Sequence, residues 1–124
     1  MKLSLLFWIL FSVILTASAQ LIFKLEMSRP EVQELLVRGA NVKAMQASLA
    51  RPGIWAGLIF YGVSAAVWLY VLGYVELSRA YPFVGLGFAL TAVLAATFLD
   101  ESFGIYRATG TAFVCVGVYL VGKS

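Results

Sequence analysis

Four stretches of this chain are almost wholly apolar, and most of its charges fall between them. They run over about residues 3–25, 54–75, 80–99 and 106–121. A bilayer core of about 30 Å takes roughly 20 apolar residues of helix, so each stretch is read as a membrane span. The pattern predicts an all-α membrane protein, a single domain over residues 1–124 made of four transmembrane helices. Three connections and an even number of spans place both termini on one side of the membrane.

Inside the first span the apolar run is interrupted at a fixed interval. Ser12, Thr16, Gln20 and Lys24 follow one another at four-residue spacing, which puts them nearly on one helix face. Lipid offers no partner to an amide or an ammonium, so such groups are expected to face a bundle interior or a watery cavity. Ser12 and Thr16 can satisfy themselves on a backbone carbonyl one turn back. Gln20 needs partners on another helix or on a ligand. Lys24, near the helix end, can snorkel to the boundary or pair with Asp100 or Glu101.

The connection between the first two spans has its own periodicity. Val32, Leu35, Leu36, Val42, Met45 and Leu49 recur at three- and four-residue spacing among Glu31, Glu34, Arg38, Lys43 and Gln46. This is an amphipathic helical pattern. Pro30 can open a helix, and Gly39-Ala40-Asn41 should break it. The segment 29–51 is therefore expected to form one or two short interfacial helices, either snorkelling into headgroups or simply capping the bundle.

Composition narrows the class. The chain is 62% hydrophobic and only 12% charged, about half the charge fraction of an ordinary soluble domain, and its mean hydropathy is +0.94. The net charge of +3, without a basic run carrying interleaved aromatics, suggests anionic headgroups rather than nucleic acid. With no His and one Cys, Cys115, neither an internal disulfide nor a Cys/His metal site is expected, and nothing calls for a cofactor. No nucleophile has a base beside it, which argues against an enzyme. Met1-Lys2, the first apolar run and Ala17-Ser18-Ala19 resemble a cleavable leader, but the run continues through Leu21, Ile22 and Phe23 and is read as a span. By the positive-inside rule, Arg29, Arg38, Lys43, Arg51 and Arg107 outweigh Lys2, Arg79 and Lys123 by a small margin, which favours termini outside and leaves dual topology open.

The third span opens Leu77-Ser78-Arg79-Ala80-Tyr81-Pro82 and continues with Gly85 and Gly87. Glycine in a membrane helix permits close packing or a bend. Arg79 enters this span on the terminal side, and Lys24 leaves the first span on the other. One cation at each boundary suits an anionic headgroup passed between leaflets, and equally suits ordinary anchoring, with Glu76 in reach of Arg79 at i, i+3. In the fourth span Gly110, Val114, Gly117 and Val118 form a close-packing face.

At these residues the chain resembles a known family. A first helix ending Ser18-Ala19-Gln20-Leu21-x-x-Lys24, Leu77 to Pro82 opening the third, Trp68 in the second, and Gly110-x6-Gly117-Val118 in the fourth resemble the drug/metabolite transporter superfamily, in its small four-helix, small multidrug resistance-like or EamA-like form. More narrowly they look like the small subunits of the 4-amino-4-deoxyarabinose-phosphoundecaprenol flippase. The resemblance implies a transporter of the bacterial inner membrane that moves a lipid-linked anionic substrate, such as an undecaprenyl-phosphate sugar, by alternating access. It implies a homodimer, or a heterodimer with a similar small subunit, surrounded by membrane lipids. The substrate-contacting set would be Thr16, Gln20, Lys24, Trp68, Arg79 and Tyr81, the hinge Gly85 and Gly87, and the dimer contact Gly110, Val114, Gly117 and Val118. The multidrug exporters carry a membrane-embedded Glu eight residues before the Lys of helix one. Thr16 stands there instead, which argues against proton-coupled export of cations. Two alternatives remain: a diverged exporter of amphipathic molecules, and a non-transporting adaptor whose 29–51 segment docks a glycosyltransferase-type partner. That connection is also expected to lie outside the usual pattern of the flippase subunits.

Overall fold

The computed structural model describes residues 2–124, and every regular element among them is helical. In chain order these are α1 (Leu3–Met27), α2 (Pro30–Val37), α3 (Asn41–Leu49), α4 (Pro52–Leu72), α5 (Leu77–Ala80), a 3-10 turn over Tyr81–Phe83, α6 (Val84–Phe98) and α7 (Ile105–Lys123). Four spans are long and apolar enough to cross a membrane: α1, α4, the composite Leu77–Phe98, and α7. The third starts at Leu77, earlier than its apolar run suggests. Pro82 sits inside this span rather than at its start. A proline lacks the N–H of the i→i−4 ladder, and the chain tightens there into the 3-10 turn before α6 resumes the α-helical ladder.

The long connection folds as the helix pair α2 and α3. Pro30 and Pro52 occupy the first turns of α2 and α4, where a missing N–H costs nothing. The break falls at Gly39, whose φ of +76° is strained for any residue with a Cβ. Val32, Ala44 and Ser48 are buried between the pair and the bundle. Val42, Met45 and Leu49 form an outward apolar face on α3, each about half exposed or more.

An ion-pair cluster fastens the pair to the bundle. Glu26, at the end of α1, accepts hydrogen bonds on Oε2 from Arg29 Nε at 2.8 Å and Arg51 Nε at 3.0 Å. Its side chain is only 12% exposed, and Arg51 also approaches Glu31 at 3.8 Å. One carboxylate thus ties together the end of α1, the start of the inserted pair and the start of α4. Gln33 Nε2 donates to the Met27 carbonyl at 2.6 Å, and the Trp55 indole to the Leu49 carbonyl at 2.7 Å.

α1 is the central helix. It packs mainly along α4 and secondarily on α6, while α7 packs mainly on α6. Leu5, Ile9 and Val13 line one α1 stripe at four-residue spacing and meet Val71, Val75, Ala80, Phe83 and Val118. The α1–α4 approach is closest toward the inserted pair. A Cβ on Gly57 would lie 2.6 Å from the Phe23 ring, and one on Gly53 would overlap the Glu26 carboxyl. These two glycines form the small-xxx-small spacing that lets membrane helices touch.

Two sequence expectations change here. Val114 and Val118 do not face outward: a Cβ on Gly85 would lie 2.8 Å from Val114 and 3.3 Å from Val118, and Val118 is buried in the chain's own core. They join α7 to α6 within the subunit. Gly110 and Gly117 do lie against open space. At about 100° per residue Gly110 and Gly117 nearly coincide, while Val114 and Val118 lie about 40° and 80° farther round α7, toward α6. Gly85 packs closely against α7, and α6 is continuous through Gly85 and Gly87 in this conformation.

Gly57→Leu should overpack the α1–α4 contact and lower stability by about 1–3 kcal/mol. Gly62→Leu, with no atom within 4 Å of its Cβ, should leave it unchanged or higher; thermal unfolding in mild detergent measures both. Glu26→Gln should raise amide exchange across Pro30–Leu49 while α1 and α4 stay protected, read by hydrogen–deuterium exchange in nanodiscs.

Candidate functional site

The upper part of the polar stripe meets a partner on the neighbouring helix. Ser64 lies about two-thirds of the way along α4 and faces Ser12. Each serine hydroxyl donates to the other's backbone carbonyl, Ser12 Oγ to Ser64 O at 3.1 Å and Ser64 Oγ to Ser12 O at 2.9 Å. The two hydroxyl oxygens are 2.8 Å apart, and Thr16 Oγ1 stands 2.5 Å from Ser64 Oγ and 3.0 Å from the Ser12 carbonyl. Both serines are buried. Thr16 can use the one-turn back-bond open to a helical threonine, whereas Ser12 bonds across the seam.

This cluster lines a cavity of about 320 Å³ between α1, α4 and the 3-10 turn with α6. Tyr61, Ser64, Ala65 and Trp68 supply the α4 wall, Val13 the α1 wall beside Ser12 and Thr16, and Tyr81, Val84 and Gly87 the third. Ser12 is nine residues from the start of α1, about 14 Å along the axis at 1.5 Å per residue, so the hydroxyls sit near the middle of the membrane. Tyr61 and Tyr81 are exposed on the cavity's open side, 46% and 60%.

The cavity carries a patch of hydroxyls on an otherwise largely apolar wall, and it is uncharged. No Asp, Glu, Lys or Arg lines it. Three hydroxyl rotors and two phenols can each turn to donate or accept, which suits a ligand rich in hydroxyl and amine groups.

Of the residues singled out from sequence, Thr16, Trp68 and Tyr81 line this cavity and Gly87 borders it. Gln20 and Lys24 continue the stripe toward the inserted pair, but both are exposed and neither lines the cavity. Lys24 makes no ion pair among the described residues, with Asp100, Glu101 or any other acid. Arg79 lies at the opposite boundary and donates to the backbone carbonyl of Ser124 at 2.5 Å rather than pairing with Glu76. Ser64 and Tyr61 were not anticipated. Their signal is present: Tyr61, Ser64 and Trp68 share a face of α4 at i, i+3 and i+7.

No protein-family model matches the chain, and no solved structure matches it. Curated relatives do. The chain is 34% identical over 122 residues to the probable 4-amino-4-deoxy-L-arabinose-phosphoundecaprenol flippase subunit ArnF of Enterobacter sp. (strain 638), a match covering 93% of this chain and 91% of that protein. It is 29% identical over 118 residues to the protein of the same name from Serratia proteamaculans (strain 568), covering 94% and 90%. It is also 33% identical over 73 residues to the uncharacterized protein y4nH of Sinorhizobium fredii (strain NBRC 101917 / NGR234), where the match spans 62% of that protein's length. With 93% of the chain aligned, the part left out is smaller than the connection of residues 28–51. Most of that connection therefore falls within the likeness, contrary to the expectation that it lies outside the family pattern.

Proposed function

The chain belongs to the family of 4-amino-4-deoxy-L-arabinose-phosphoundecaprenol flippase subunits, and from that premise we propose that it moves a lipid-linked anionic substrate, an undecaprenyl-phosphate sugar, between the leaflets of the bacterial inner membrane. It is a multi-pass protein of four spans. The observation that carries the proposal is the uncharged hydroxyl cluster of Ser12, Thr16 and Ser64 inside the cavity. A sugar crossing the membrane must exchange its water hydrogen bonds for others, since an unsatisfied polar group in hydrocarbon costs several kcal/mol. Hydroxyls at mid-depth supply those partners without adding a charge that would repel the phosphate or need a counter-ion.

In this reading Trp68 and Tyr81 border the sugar from the terminal side and Tyr61 from the other. Gln20 extends the polar path beyond the cavity. Lys24 and Arg79 stand at the two boundaries as the cations the phosphate meets on leaving and entering. The substrate alternates between them as α6 and α7 rock against the tightly joined α1–α4 pair. The cavity is open along Tyr61 and Tyr81, and the outer face of α7 around Gly110, Phe113 and Gly117 is uncovered. A second subunit, a copy of this chain or a similar small protein, closes the path. Proton-driven export of cations is the weaker reading, because Thr16 occupies the position where an exporter of that type needs an acid.

The test is headgroup translocation in proteoliposomes containing the chain and any partner subunit. Ser64→Val and Thr16→Val should each slow it at least tenfold with the fold retained, while Gln20→Leu should have a smaller effect. The reverse ranking would remove the cavity from the transport path. Thr16→Glu should abolish translocation of the anionic substrate, since a carboxylate in the seam either repels the phosphate or withdraws the Ser64 hydroxyl. Unimpaired flux in that variant would contradict an anionic cargo.

A further inference from the structure

We infer that the groove between α1 and α7 holds the phosphate-proximal part of the polyprenyl tail of the lipid-linked substrate, with its phosphate beside Lys123. The inference rests on the lipid-linked reading above, but not on transport. The groove has a volume of about 460 Å³ and is lined by Leu6 and Leu10 of α1, Phe83 and Leu86, and the α7 face that carries Cys115 and Tyr119 down to Lys123. It is separate from the hydroxyl cavity and lies on the other side of the α1–α6 contact. Phe83 and Leu86 face the groove, while Tyr81, Val84 and Gly87 face the cavity.

Three observations identify the occupant. The wall is apolar except at one end, where Lys123 Nζ sits 5.6 Å from the centre of the Tyr119 ring and makes no ion pair among the described residues. A second cation is next to it, because the Arg79 guanidinium is hydrogen-bonded to the carbonyl of Ser124. No acid lines the groove. One anionic end and one long apolar end therefore match it in a single orientation.

The dimensions agree with that orientation. From Lys123 to Cys115 is eight residues of helix, about 12 Å. That distance runs from the membrane boundary nearly to the midplane of a core about 30 Å thick. A groove of this size takes the phosphate-proximal few isoprene units of a chain anchored at Lys123, and the rest of the tail lies in the surrounding lipid.

The experiment uses undecaprenyl phosphate carrying a diazirine on one of the isoprene units nearest the phosphate, with the full chain in phospholipid nanodiscs and adducts mapped by mass spectrometry. Adducts should concentrate on Leu6–Leu10 and Cys115–Tyr119. Unlabelled undecaprenyl phosphate should compete, and uncharged polyprenol and phosphatidylglycerol should compete poorly. Lys123→Gln, at an exposed position, should weaken competition about fivefold. Cys115→Trp or Leu10→Trp should empty the groove of label, with helicity and elution volume checking the fold. Ser64→Val should leave labelling intact, so a failure of the cavity's role in transport is distinguishable from a failure of the tail site. Label spread evenly over the lipid-facing helices, or displaced equally by phosphatidylglycerol, would mean only annular lipid and overturn the inference. So would a groove that stays unlabelled while Cys115→Trp dissociates an oligomer, because a second copy would then be the occupant.

Discussion

The close approach of α1 to α4 is the contact on which the rest of this structure depends. In lipid there is no hydrophobic drive to bring two apolar helices together, so contact rests on shape and on hydrogen bonds. Both are present along one seam. Gly53 and Gly57 remove the side chains that would hold the helices apart against Glu26 and Phe23. Farther along, Ser12 and Ser64 exchange hydrogen bonds with each other's backbone. The seam makes α1 and α4 one unit, against which α6 and then α7 are laid.

The same seam accounts for the chemistry. A serine buried in a membrane helix commonly bonds its own carbonyl ladder and disappears from the surface of the problem. Here the crossing of two helices brings three hydroxyls within hydrogen-bond distance, and the 3-10 turn at Pro82 sets Tyr81 at the edge of the resulting cavity. In the proposed function the hydroxyls that join the two helices are also the groups that would meet the ligand. Substrate hydroxyls can replace a bond within the cluster without leaving a buried polar group unpaired, which keeps the cost of both the empty and the filled states low.

Charge is kept at the ends. Glu26, with Arg29 and Arg51, closes the inserted helix pair onto the bundle at one boundary. Arg79 and Lys123 gather at the other beside the end of α7. No ionisable side chain enters the hydroxyl cavity between them. Under the proposed function, a neutral interior with Lys24 and Arg79 at the two boundaries would favour an anion that must enter, cross and leave.

The four spans and the α2–α3 pair were legible because their signals are local: apolar runs of span length, and an amphipathic period interrupted at Gly39. The resemblance carried by Gln20, Lys24, Tyr81 and their neighbours pointed to the family for the same reason, since it rests on short motifs in order. Thr16, Trp68 and Tyr81 were picked out and do share one cavity. Ser64 was not, because a single serine in an apolar helix has no significance until the residue across from it is known. Nor does a stripe state where its helix is covered. Ser12 and Thr16 lie under α4, while Gln20 and Lys24, on the same face, are exposed. Val114 and Val118 turned inward because α6 offers Gly85 at that level, a match between two helices that neither one's pattern contains. Hydropathy and period therefore determined which segments cross the membrane and which residues share a face. Only tertiary packing decided which faces meet, because in a membrane that choice depends on side-chain size and hydrogen-bond partners on another helix.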